Sequence, residues 1–282
     1  MSSRTNIENE AQAQSLPLRQ PSALDSIHEM PSEWVALNPD YDPGKIYEEH
    51  VHRYGENKNL SCLTDKLGSE FPRHISSLTR FVLDASRGSI QLWEKGSVLN
   101  YRFNQNSLSY FERADLGRAA ILTFFSAAIR AWGDFVPVGF REDVDAYDFE
   151  FFVSGTQVVQ NGYDVAASSF LPCDRRGMFI IYPALIAMFE KDKETALKIM
   201  CHELGHVFGL RHFFALIEER GFPAELFGVN SKFTIMNYGS DSRLTDADKS
   251  DLKTLYLSVW SEKLTAINGT TVRTVTPLSR GI

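Results

Sequence analysis

The stretch HELGHVFGLRH, residues 202–212, holds the residues best suited to chemistry. His202 and His206 are four residues apart. On a helix that spacing puts both imidazoles on one face, one turn apart, where they can share a metal ion. Glu203 follows the first of them and projects beside such a metal, the place of a base acting on metal-bound water. His212 lies ten residues after His202, too far along a straight helix to reach the same ion. Gly209 resolves this, because glycine can take the left-handed conformation that ends a helix and turns the chain back. His212 then comes round as the third ligand. Three neutral imidazoles leave one tetrahedral position open for water, the arrangement of a catalytic zinc, whose bound water has a pKa of about 7. The bland alternative, core or surface histidines on an amphipathic helix, needs all five residues to coincide at this spacing by chance.

The helix that carries these residues is expected to start near Asp192, a capping residue, and to run through ETALKIMCHELGHVF. Leu197, Met200, Leu204 and Val207 recur at helical spacing as its core face. Cys201 faces about 100° away from His202 and reads as a small buried residue, not a ligand. Upstream, RADLGRAAILTFFSAAIRAW at 113–132 predicts a long amphipathic helix, with Leu116, Ala120, Leu122, Phe124, Ala127, Ala128 and Trp132 as its buried stripe. QLWEKGSVLNYRF reads as one half-buried strand, and VPVGFRED, AYDFEFFVSG, NGYDVAASSFLP and GMFIIYP supply more. Strands, a long helix, more strands and then the metal helix predict an α/β (α+β) sandwich with a twisted mixed sheet. LTDADKSDLKTLYLSVW predicts a C-terminal helix, with Thr245 and Asp248 as a capping-box start.

The flanks read differently. Residues 1–30 are polar and expected to be disordered, and 31–90 form an accessory or pro-segment in which Ile75, Leu78, Phe81 and Val82 fall at helical spacing within 73–84. The domain that carries the candidate metal site is expected at 91–260, and 261–282 as a loosely held tail. Of the 282 residues 43% are hydrophobic, enough for one large core or two smaller ones. The net charge of −7 comes with no basic stripe, so nucleic acid is not an expected partner. No apolar run approaches membrane-spanning length. The first 30 residues contain no apolar h-region, so no signal peptide is visible and the sequence by itself points to the cytoplasm. Three cysteines, an odd number, argue against a disulfide scaffold, and a Cys173–Cys201 pair stays open.

HExxHxxGxxH resembles the metzincin clan of zinc endopeptidases. FTIMNYG at 233–239 is similar to the clan's tight turn under the metal, with Met236 as the turn methionine. The resemblance covers roughly Gln91 to Trp260 and looks most like a matrixin catalytic domain, which opens with a similar Trp-to-Tyr strand. It implies a sheet with a long backing helix and an active-site helix, above a small lower subdomain holding the Met-turn and the C-terminal helix. It also implies that a strand at the upper rim of the cleft, here NGYDVAASSFLP, pairs with an extended substrate. Ser168 stands where matrixins carry a His for a second, structural zinc, so one catalytic zinc is expected. Calcium ligands leave no pattern outside dedicated loops, and none is assigned. Tyr238, two residues after Met236, matches a tyrosine of astacins and serralysins that steadies the oxyanion, although a packed tyrosine below the metal fits the spacing equally. Several metzincins are held inactive by a Cys or Asp from a propeptide. Cys62 and Asp65 are the candidates here, but SCLTDK does not resemble the matrixin switch, and a packing cysteine in an accessory segment is the favoured reading.

The residues together predict a zinc-dependent endopeptidase, monomeric, acting on protein or peptide, with Glu203 as general base and acid. The reading from another class is a zinc-bearing binding or regulatory module without turnover, which would normally have lost Glu203 or a ligand. A zinc hydrolase with a non-peptide substrate is a third.

Overall fold

The computed structural model describes residues 60–62, 81–85, 87–160, 163–174, 176–212, 224–228, 234–236 and 242–281. Its strands are β1 Leu60–Cys62, β2 Phe81–Asp84, β3 Ile90–Trp93, β4 Val98–Phe103, β5 Gly139–Glu142, β6 Phe149–Val153, β7 Val159–Gln160, β8 Tyr163–Ser168, β9 Gly177–Ile181, β10 Leu210–Arg211, β11 Ala224–Phe227, β12 Ala266–Ile267 and β13 Thr270–Val275. The helices are α1 Ala114–Trp132, α2 Pro183–Lys191, α3 Lys193–Val207 and α4 Asp246–Trp260. No helix among the described residues is long and apolar enough to cross a membrane.

The main sheet runs β1-β8-β9-β6-β4-β5, with the short β7 also paired to β8. β9, β6, β4 and β5 are mutually parallel, and β8 is antiparallel to β9. All five residues of β6 are buried, as befits a central strand covered on both faces. On one face an aromatic cluster meets α1. Phe125 lies 5.0 Å from Phe151, which stacks on Phe103 at 4.8 Å. The buried stripe of α1 is Gly117, Ala120, Ile121, Phe124, Phe125, Ala127, Ala128 and Trp132. Leu116 and Leu122, expected in it, are only half-buried, because the helix is turned to bring Ile121 and Phe125 onto the sheet.

α3 packs beside α1, and its start and stop are both built by side chains. The Asp192 carboxylate accepts from the Thr195 N–H at 3.0 Å, capping the N-terminus as expected. At the other end the orphan carbonyls of the last turn find partners from afar. Trp93 Nε1 donates to the Val207 carbonyl at 2.6 Å, and Tyr256 Oη to the Phe208 carbonyl at 3.0 Å. α4 opens on a complete Thr245–Asp248 capping box.

Three sequence expectations change. The stretch expected as one strand from Gln91 is split into β3 and β4, and β3 joins a separate sheet, parallel to β13. Phe81–Asp84, expected at the end of a helix, is β2, paired antiparallel with both β10 and β11. A short run rich in aromatic and β-branched residues fits either period, and here the strand partners decide it. Where a loose tail was expected, β12 and β13 form and the last turn is tied down: Ser279 donates its N–H and hydroxyl to Asp148 at 2.8 Å each, and Arg280 pairs with Glu94. α2, which no expectation covered, begins on Pro183, a residue whose fixed φ suits the first helical turn.

Candidate metal centre

Both imidazoles on α3 face the same point, with His202 Nε2 and His206 Nε2 3.1 Å apart. Their other ring nitrogens are engaged by main chain: His202 Nδ1 lies 2.8 Å from the Ile235 carbonyl and His206 Nδ1 2.7 Å from the Leu210 carbonyl. A carbonyl can only accept, so each Nδ1 carries the proton and each Nε2 turns a lone pair inward. Two lone pairs at that separation repel unless a cation lies between them. Tetrahedral zinc with Zn–N bonds of about 2.0–2.1 Å sets its nitrogens about 3.3 Å apart, close to what the two rings present.

His212 reaches the same place by the expected route. α3 ends at Val207, Gly209 takes φ +91°, and the Gly209 N–H closes the turn on the His206 carbonyl at 2.8 Å. A Cβ at Gly209 would also stand 2.9 Å from the Leu92 side chain, so the left-handed backbone and the tight fit both call for glycine. β10 pairs with β2, and His212 follows it, buried, with its ring centre 5.1 Å from His202 and 4.8 Å from His206.

The fourth member is Cys62. Its Sγ lies 3.6 Å from His206 Nε2 and 3.4 Å from Glu203 Oε2. The ligand atoms of Cys62, His202, His206 and His212 all fall within 4.8 Å of one another, and all four residues are buried. Zinc with a thiolate at about 2.3 Å and an imidazole at about 2.0 Å puts sulfur and nitrogen about 3.6 Å apart. The donor set therefore fits zinc, with one sulfur and three nitrogens around it. This corrects the packing role favoured for Cys62 and the open fourth position. The cause is β1, which lies parallel on the outer edge of β8, Leu60 opposite Asp164 and Cys62 opposite Ala167, and carries the thiol over the site. Local sequence around Cys62 holds no sign of that pairing. Asp65 lies outside the described residues.

Glu203 is buried beside the histidines, and Ser169 Oγ stands 2.9 Å from its Oε2 and 2.8 Å from its own main-chain carbonyl. Tyr182, at the end of β9, is close by. Burial pushes its phenol up to about 12, against a hydrogen bond from Ser168, and the charges of Cys62 and Glu203 push the same way as burial. Sequence reading assigned neither Ser169 nor Tyr182 to the site. A polar Ser168-Ser169 pair closing an apolar strand is the one signal that was available.

Beneath the histidines, Met236 is buried and its sulfur lies where a side chain at Gly205 would be, so the helix can carry no Cβ there. A glycine inside a helix costs about 1 kcal/mol relative to alanine, and this contact gives the reason for it. Asp248 accepts from Thr234 Oγ1 at 2.6 Å and from the Ile235 N–H at 3.4 Å, and so fixes the Ile235 carbonyl on which His202 rests. Cys201 is buried, and burial pushes its thiol up to about 12; it takes no part in the cluster. None of the three cysteines is in a disulfide. Tyr238 lies outside the described residues. Arg243, just before α4, is exposed.

No family model matches the chain, and no curated protein matches it. Among solved structures, high choriolytic enzyme 1, a hatching enzyme zinc-protease from the medaka fish Oryzias latipes, is similar at a TM-score of 0.34 and 15% identity over 59% of this chain and 94% of that one.

Proposed function

We propose that the chain is a zinc-dependent endopeptidase of metzincin type, held latent by its own Cys62. The observation that carries this is the convergence of three imidazoles, two of them oriented by main-chain carbonyls, with the Glu203 carboxylate beside them. His202, His206 and His212 would hold the ion. Zinc bound there supplies Lewis acidity and lowers the pKa of a coordinated water. Glu203 takes a proton from the attacking water as the scissile carbonyl becomes tetrahedral, then hands it to the leaving amine. Met236, packed against Gly205, supports the helix from below in the role of the turn methionine. The matrixin-like variant of this reading rests on the sequence resemblance between Trp93 and Tyr101 alone, a stretch divided here between two strands of separate sheets. Peptide is the substrate class this reading favours, because the outer edge of β8 already takes one extended segment, β1, in strand pairing.

Cys62 gives a second reading its one specific support. A metal held by four protein ligands is closed, as in a structural zinc site, and a closed site can belong to a silent binding module. The two readings part on one experiment. The zinc-loaded full chain, its Cys62→Ala variant and the Cys62→Ala/Glu203→Ala double variant are incubated with an unfolded protein mixture, and fragments are read by mass spectrometry. A latent peptidase gives few cuts from the first, many from the second and none from the third, with zinc retained in all three. Zinc retained but no cuts from Cys62→Ala would leave the silent module as the function.

A further inference from the structure

The hydroxyl of Ser169 occupies a particular place relative to the base. β8 ends at Ser168, and the next residues leave the sheet alongside α3. Phe170 anchors that exit. Its ring lies 5.1 Å from Phe149 and fills the space over Gly177, where any Cβ would overlap it. Ser169 therefore hangs from backbone held by packing, and its Oγ sits at nearly equal distances from two acceptors of a single residue: the Glu203 carboxylate at 2.9 Å and the Glu203 carbonyl at 2.8 Å.

A hydroxyl has one proton to give and two lone pairs to accept with. Oγ is within hydrogen-bond reach of both the carboxylate and the main-chain carbonyl of Glu203, so one side chain on a packed backbone ties the Glu203 carboxylate to its own turn of α3. An alanine at this place would remove that tie.

We propose that Ser169 is a positioning residue for Glu203, its hydroxyl holding the carboxyl group in place beside the histidines. The proposal rests on the reading of Glu203 as the general base.

The test uses the full chain carrying Cys62→Ala, so that the fourth position is open, with Ser169→Ala and Ser169→Thr added singly. Loss of a hydrogen bond to a charged group predicts a fall in kcat of about tenfold or more for Ser169→Ala with KM changed less than about twofold. Ser169→Thr, which keeps a hydroxyl, should restore most of the rate. An unchanged kcat, a loss lying in KM, or a threonine variant as slow as the alanine would overturn the proposal. A readout without turnover separates it from the peptidase reading. In urea unfolding, Ser169→Ala and Glu203→Ala combined should cost less than the sum of the two alone, since the shared bond is lost only once. If Cys62→Ala cuts no peptide yet the two changes couple, the peptidase reading fails and the Ser169–Glu203 contact stands. Strict additivity overturns the contact whatever the activity.

Discussion

At the residue scale the centre separates three thiols by environment. Cys173 and Cys201 are buried, and burial pushes both thiols up to about 12, with the Asp174 and Asp84 charges adding to the effect at Cys173. Both thiols stay protonated at pH 8 and are shielded by burial, so neither should react with iodoacetamide in the folded chain. Cys62 is set apart by position, beside the three histidines, and under the proposed function its sulfur is shielded while zinc is bound. Peptide mapping after alkylation at pH 8 should find none of the three labelled in the zinc-loaded chain and Cys62 alone labelled after chelation. Labelling of Cys62 at the same rate with and without zinc would remove it from the coordination sphere. The histidines and Glu203 were legible from sequence because one helix and one turn set their spacing. Cys62 was not, because it joins them from 140 residues away in sequence, through strand pairing that follows from no local pattern.

At the scale of elements, the capping box of α4 does more than start a helix. Asp248 accepts from Thr245 Oγ1 at 2.9 Å and the Thr245 N–H at 2.8 Å, and the same carboxylate holds Thr234 and Ile235 beneath His202. Burial raises its pKa above the ordinary 3.8, against those hydrogen bonds, which lower it. The folded chain thus binds this proton more tightly than the unfolded chain. The resulting stability is full below the ordinary value and is lost as pH rises through the raised one. Asp248→Asn has no such proton. The stability of the wild type minus that of Asp248→Asn should therefore decline as pH rises above about 4 in urea unfolding, a comparison in which protonation of the histidines largely cancels. A difference that is flat or rises with pH would mean the carboxyl is not raised. The capping pattern was readable as T-D-A-D. Its link to the loop under the metal was not, since that loop and α4 meet only once both are folded.

At the scale of the molecule, the last described strands close back onto β3. β13 lies parallel to β3, burying Ile267 and Val272, and β3 in turn supplies Trp93 to the end of the metal helix. Truncation after Trp260 should cost at least about 3 kcal/mol from those two side chains alone, a fall in Tm of about 6 °C or more by calorimetry. A truncated chain that melts with the full one would make the strap dispensable. The alternation of strand and helix signals was sufficient for the middle of the central sheet, where β6 is buried throughout. The strap was misjudged because its Thr- and Ser-rich segment gains order from edge pairing and from Ser279 on Asp148, not from a face of its own. The opposite edge has a further consequence. β1 runs along β8 beside Asp164, Val165 and Ala167. A sheet edge stripped of its partner presents unsatisfied amides and carbonyls and recruits other chains, so withdrawal of β1 brings a hazard of self-association along with access to the metal. The segment that carries the thiol is also a guard on solubility, and the protein is safest to store at high concentration with it in place.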